Sequence, residues 1–250
     1  MLTDFKQRLD RGERFIGTFI SLPSPESAEI FAEVGYDWLI IDTEHGPFDV
    51  LLAQRMLQGV GGRCPCVVRV PSNEEVWIKK ALDIGSAGVL VPLVNTAETA
   101  ARVAHACRYA PAGVRGMGGA RAHRYGVGFQ DYVERADREI LAIVQAEHIQ
   151  AVENIDAIVR VPGIDAVFVG PYDLSASMGK PGQIRDPEVT GAIRRVRDAV
   201  LGAGLKAGIY CSDGPSAREF LQQGYTLIGM STDMSLLVHV AGQELAAARA

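Results

Sequence analysis

Side chains able to do metal or proton chemistry stand where apolar, strand-like runs end. Asp42, Glu44 and His45 follow residues 38–41, Arg69 interrupts the apolar 67–70, Glu147 follows 143–145, and Asp173 follows 166–170. Glu147 and Asp173 supply two carboxylates. Placed together, they can hold one hard divalent cation and leave most of its octahedral shell to water and substrate oxygens, an arrangement suited to Mg²⁺ or Mn²⁺. Taken singly, either would serve equally well as a helix N-cap or an arginine partner.

Asp42-Thr43-Glu44-His45-Gly46 concentrates three ionisable groups at one strand end. A histidine of near-neutral pKa held by a carboxylate can act as a general acid or base. His105, His148 and His239 fall in or at the start of expected helices, where packing or surface roles are the simpler reading, and His123 falls in a glycine-rich loop. Arg69 in an apolar strand is costly unless it meets an anion. That anion is either a developing enolate oxygen or a structural carboxylate. In Gly170-Pro171-Tyr172-Asp173-Leu174-Ser175, a glycine before a helical start lets backbone N–H groups approach an anion.

The lysines argue against covalent carbonyl chemistry. Lys79 and Lys80 are expected in a helix, Lys6 near the N-terminus, Lys180 in a loop and Lys206 at the amino end of a strand, so none suits a Schiff base inside a barrel. Cys64, Cys66, Cys107 and Cys211 lack Cys-x-x-Cys spacing and read as reduced thiols.

For these groups to meet, strands far apart in sequence must converge. Eight apolar runs, at 15–20, 38–42, 66–70, 88–91, 141–147, 166–169, 206–210 and 226–230, alternate with segments of helical period at 26–33, 74–84, 97–109, 149–159, 187–201 and 215–222. Gly35, Gly85, Gly163, Gly202 and Gly224 stand where helices should turn back into strands. Near-continuous hydrophobicity suits strands covered on both faces. The fold class expected is a single-domain (β/α)₈ TIM barrel over residues 1–250, a fold of about this length, with its chemistry at the strands' carboxyl ends. Residues 111–128 are too long for an ordinary connection and are expected beside that mouth. The net charge of −5 comes with no basic patch for nucleic acid, and no apolar run is long enough to span a membrane, so the chain is expected in the cytoplasm.

Seven motifs in order resemble the HpcH/HpaI family of metal-dependent pyruvate aldolases over nearly the whole chain: Asp42-Thr43-Glu44-His45-Gly46, Val68-Arg69-Val70-Pro71, Leu82-Asp83-Ile84-Gly85, Val89-Leu90-Val91-Pro92, Gly113-Val114-Arg115-Gly116, Gln145-Ala146-Glu147 and Val169-Gly170-Pro171-Tyr172-Asp173-Leu174-Ser175. The resemblance implies a TIM barrel that uses Mg²⁺, Mn²⁺ or Co²⁺ to enolise pyruvate and add it reversibly to an aldehyde. It implies Glu147 and Asp173 as metal ligands, Arg69 on the pyruvate keto oxygen and His45 in proton transfer. It also implies Gln145 and Gly170, Pro171, Tyr172 and Asp173 against pyruvate, and Asp42 or Asp83 orienting His45. His148 departs from the small hydroxyl residue expected after the glutamate. The implied assembly is a homo-oligomer, a hexamer with swapped C-terminal helices, in which Asp83 or residues 115–124 serve a neighbouring subunit. Two other functions fit part of the pattern. An acyl-CoA ester lyase of the citramalyl-CoA type would need residues 115–124 as a phosphate cradle, and a non-enzymatic, metal-dependent oxo-acid sensor would leave His45 without a task.

Overall fold

β-branched and aromatic residues dominate the strands, and each strand is buried along most of its length, as parallel strands sheathed by helices must be. A computed structural model describes residues 3–250. Its strands are β1 Phe15–Ile20, β2 Trp38–Asp42, β3 Cys66–Arg69, β4 Gly88–Val91, β5 Leu141–Ala146, β6 Ala166–Val169, β7 Lys206–Cys211 and β8 Leu227–Thr232. They pair in parallel and in chain order, and β8 returns to β1 to close the barrel.

The two-residue period of a strand sends alternate side chains inward. Phe15, Trp38, Ile40, Val67, Ile143 and Phe168 belong to the packed barrel interior, while Leu39, Ile41, Val68 and Val144 pack against the helices. Gly208 and Gly229 make room for the large rings, since a Cβ at either would collide with Phe168 or Phe19. The helix Phe5–Asp10 seals the amino end, with Phe5 edge-on to Phe15 at 4.8 Å.

Five α-helices lie outside the segments expected from periodicity: Phe5–Asp10, Val50–Val60, Phe129–Glu139, Pro171–Ser177 and the C-terminal Asp233–Arg249, the last implied by the family resemblance. Val50–Val60 starts from Asp49, whose carboxylate accepts the Leu52 N–H at 2.9 Å. Gly35, Gly85, Gly163 and Gly224 do adopt positive φ after helices. Gly202 instead ends the helix Pro187–Gly202, and Gly204 takes the left-handed turn with φ +77°.

The position expected for residues 111–128 is corrected. They connect the helix Ala97–Ala106 to the helix Phe129–Glu139 that leads into β5, so they lie at the amino end of the barrel, away from the mouth. Arg121 Nη1 donates to the Ile84 carbonyl at 2.7 Å there, and Arg115 Nη2 donates to Asp83 Oδ1 at 3.0 Å. His123 organises this loop: its Nδ1 accepts the Gly126 N–H at 3.0 Å, and its Nε2 donates to the Gly118 carbonyl at 2.6 Å. Among the described residues no helix is long and apolar enough to cross a membrane.

Candidate active site

The site grows out of the inward face of the strands. Two residues beyond Ile40 stands Asp42, two beyond Val67 stands Arg69, and two beyond Ile143 stands Gln145, followed at the next inward position by Glu147. The same alternation that fills the barrel with hydrocarbon therefore tops it with polar groups. They surround a cavity of about 250 Å³ lined by His45, Arg69, Gln145, Tyr172 and Asp173, with Gly170 and Pro171 at its wall.

Register places Asp42 beside Arg69 on adjacent strands. Arg69 Nε donates to Asp42 Oδ1 at 2.9 Å and Nη2 to Oδ2 at 2.7 Å, a forked pair that is almost wholly buried. Burial alone would raise the Asp42 pKa, but the guanidinium outweighs it and holds the carboxyl below its ordinary range. Arg69 also lies over the Phe19 ring at 4.8 Å, and its Nη1 approaches Glu44 Oε2 at 3.2 Å.

This arrangement changes the role expected for Asp42. Its Oδ1 accepts the backbone N–H groups of Glu44 and His45 at 3.2 and 3.3 Å, so it fixes the turn that carries His45 and pairs its charge with Arg69. Orientation of the His45 ring by Asp83 of the same chain is likewise corrected. Asp83 ends the helix Glu75–Asp83 at the amino end of the barrel and is paired with Arg115, whereas His45 lines the mouth.

Glu147 is buried, and its oxygens have defined donors. Oε1 accepts the Leu93 N–H at 2.8 Å, and Oε2 accepts the Gln145 amide. Leu93 makes its bond from a left-handed backbone, φ +53°, a strained geometry for leucine of the kind that collects at functional sites. Burial, with Glu44 and Asp173 nearby, pushes the Glu147 carboxyl up to about 7. Gly170 allows this packing, because a Cβ there would lie 3.1 Å from Glu147 Oε2 and 3.0 Å from Gln145 Nε2.

These residues fit a hard divalent cation. Glu44, Glu147 and Asp173 crowd negative charge together, and the buried Gln145 Oε1 has no hydrogen-bond donor. Among the described residues no group of three His, Cys, Asp or Glu side chains forms a ready-made metal cluster. The fit is therefore to a site with two carboxylate ligands, Glu147 and Asp173, completed by other oxygens.

The other half of the cavity is aromatic. Phe19 meets Tyr210 at 5.7 Å and Phe168 at 6.1 Å, and Tyr210 meets Tyr172 at 5.8 Å, all with edge-on rings. Thr232 completes this wall. Phe19, Phe168, Tyr210 and Thr232 were not singled out from sequence. Their signal was available, since each lies near the carboxyl end of an expected strand, but aromatic residues there also read as core.

The profile of the HpcH/HpaI aldolase/citrate lyase family matches residues 15–240. A 4-hydroxy-2-oxovalerate aldolase of Rhodococcus jostii is 42% identical over 238 residues, covering 94% of this chain and 92% of the relative. A hydroxypyruvate/pyruvate aldolase of Chromohalobacter salexigens is 41% identical over 240 residues, covering 95% and 94%. Among solved structures, an HpcH/HpaI aldolase/citrate lyase family protein from Burkholderia cenocepacia superimposes with a TM-score of 0.94 at 37% identity, covering 99% of each chain.

Proposed function

This chain belongs to the HpcH/HpaI aldolase/citrate lyase family and is an aldolase, a carbon–carbon lyase; from that premise we propose that its cavity cleaves 4-hydroxy-2-oxo acids reversibly to pyruvate and an aldehyde with a divalent metal held by Glu147 and Asp173. The observation that carries this reading is the meeting of Arg69, His45, Gln145 and Asp173 around one cavity with Glu147 packed behind its Gly170 wall. When bound, the metal supplies Lewis-acid stabilisation of the pyruvate enolate, a contribution of several kcal/mol.

The chain's own groups divide the remaining work. Arg69, pinned by Asp42, presents its unused N–H groups to the keto oxygen as negative charge gathers there. Gln145 and the Gly170–Asp173 turn seat the pyruvate end. His45, exposed at the rim, takes the C4 hydroxyl proton as the C3–C4 bond breaks and the electron pair passes into the enolate. Protonation at C3 then completes pyruvate.

Incubation with pyruvate and metal in D₂O tests the reading. Deuterium at C3 is expected, and its absence would refute enolisation. Among the described residues no arginine or lysine other than Arg69 lines the cavity, so the family's acyl-CoA chemistry lacks a phosphate cradle in this chain, and its own residues 115–124 lie at the far end.

The aromatic wall bears on the aldehyde. Arg69 is engaged by Asp42 and Glu44, leaving no spare cation among the described residues of this chain on the Phe19–Tyr210–Tyr172 side to neutralise a second carboxylate. An uncharged aldehyde is therefore the proposed co-product. In a panel of 4-hydroxy-2-oxo acids, those releasing neutral aldehydes are expected to be cleaved with at least about tenfold higher kcat/KM than those releasing acid semialdehydes, the scale of one uncompensated interaction of about 1.4 kcal/mol. A preference for the acidic series would overturn this assignment.

A homo-oligomer is proposed from the helix Asp233–Arg249. Asp233 is its only buried residue, while Leu237 and Val238 are 63% and 72% exposed. Apolar surface of this kind marks an interaction site, and exchange of this helix within a hexamer is the proposed assembly. Light scattering is expected to report a multimer, and Val238→Asp to shift it toward smaller species. A wild-type monomer at working concentration would exclude the assembly.

A further inference from the structure

The carboxyl end of β1 is held from an unexpected direction. Asp233, 1% exposed, opens the C-terminal helix and sends its carboxylate back across the barrel seam. Oδ1 accepts the Ser21 N–H at 2.9 Å and Oδ2 the Leu22 N–H at 3.1 Å, while Ser27 Oγ donates to Oδ2 at 2.8 Å. A bulge delivers it there. Between Gly17↔Gly229 and Phe19↔Thr232, β8 carries one more residue than β1, and Ser231 takes φ +62°. The seam is closed beside it by Thr18 Oγ1 donating to the Ser231 carbonyl at 3.3 Å.

What this clamp fixes is the housing of Arg69. Phe19, on β1, offers its face to the guanidinium at 4.8 Å. Ser21, just beyond β1, turns its Oγ toward Asp42 Oδ2 at 3.4 Å, and Asp42 grips Arg69 through both oxygens. The two β1 contacts approach the Asp42–Arg69 pair from the same short stretch of backbone whose amides Asp233 holds. We propose that Asp233 is a positioning residue for Arg69, acting through the β1 terminus, so that the start of the C-terminal helix and the pyruvate clamp form one mechanical unit. Its catalytic consequence rests on the reading of Arg69 given above; its structural content does not.

The test reads Arg69 directly. The Arg69 Nε–H, sheltered by its 2.9 Å bond to Asp42, is followed by ¹⁵N NMR hydrogen exchange in the intact protein. Asp233→Asn replaces one acceptor oxygen with a donor and is expected to speed that exchange at least about tenfold. Ser21→Ala, a milder change that leaves the Asp233 clamp intact, is expected to speed it by a smaller factor, and it decides the matter should Asp233→Asn not fold. Ser27→Ala removes an Asp233 contact but leaves the β1 amides held, so Arg69 exchange is expected to stay at the wild-type rate.

Pyruvate C3 exchange supplies the second readout. Asp233→Asn is expected to raise the pyruvate KM more than it lowers kcat, and to add little in an Arg69→Lys background, because residues acting through one group are not additive. Unchanged Arg69 exchange in both Asp233→Asn and Ser21→Ala overturns the proposal, as does equal acceleration by Ser27→Ala, which would signal general loosening. If the wild type shows no pyruvate exchange at all, the functional reading fails while the NMR result still decides the positioning role.

Discussion

Arg69→Ala is expected to abolish both pyruvate C3 exchange and retro-aldol cleavage, since both pass through the enolate that this guanidinium faces. Loss of one preorganised donor to a developing oxyanion costs about 10²- to 10³-fold in kcat. His45→Ala is expected to behave differently. It should keep metal binding and enolisation while cleavage falls by roughly 10²- to 10⁴-fold, the range for a lost general acid or base. Wild-type cleavage in His45→Ala together with normal enolisation in Arg69→Ala would return both residues to structural roles.

The Arg69 substitution also carries a stability signature. It leaves Asp42 buried without its cation, a loss of about 3–5 kcal/mol for a broken buried pair. In the wild type the Asp42 pKa is depressed, so its contribution is present above the ordinary carboxylate range and is lost only as pH falls through the lower folded value. In Arg69→Ala burial is opposed only by the contacts from the Glu44–His45 turn, so the folded pKa rises from its wild-type value. The variant fold therefore accepts a proton on Asp42 at higher pH than the wild type does. The destabilisation relative to wild type should therefore be largest at neutral pH and shrink as pH falls toward about 4, the ordinary aspartate range. Thermal unfolding of both proteins between neutral pH and pH 4 checks the sign, and a gap that widens on acidification would contradict it.

Glu147→Gln is the second large effect. The substitution keeps the shape wedged against Gly170 and the hydrogen-bonding reach to Leu93, but it removes the charge from the buried member of the carboxylate pair. Metal content after dialysis should drop, and cleavage should fall by at least about 10²-fold, given that each 1.4 kcal/mol of lost Lewis-acid stabilisation is tenfold in rate. Stripping the wild type with a chelator should abolish activity, and Mg²⁺, Mn²⁺ or Co²⁺ should restore it. Full activity in metal-stripped protein would refute metal dependence.

Part of this site was legible because chemistry and periodicity coincide along single strands. Residues 38–42 form a continuous apolar run ending in Asp42, and 141–147 one that ends in Gln145 and Glu147, which the two-residue period of a strand sets on one face. The loop at 111–128 was misplaced because its length and composition outweighed its position in the chain. The unexpected helix Phe129–Glu139 lies between it and β5, and a segment joining a helix to the next strand belongs at the amino end of the barrel. Asp83 lies at that same end of its own chain, which the motif could not show, because a family motif records which residues recur and says nothing about which end of a helix faces the mouth.

The amino-acid sequence by itself determined the barrel, its eight strands and the polar groups that crown them, because strand pattern, helix pattern and turn glycines are local properties carried by neighbouring residues. Only the tertiary structure decided the partners. Asp42 holds Arg69 because register sets β2 beside β3, the cavity is aromatic on one side because β1, β6 and β7 bring Phe19, Phe168 and Tyr210 together, and Asp233 reaches Ser21 because β8 closes on β1 through a bulge. Each of these contacts joins residues from different elements, and hydrophobic periodicity along one strand carries no information about the register or closure that brings another against it.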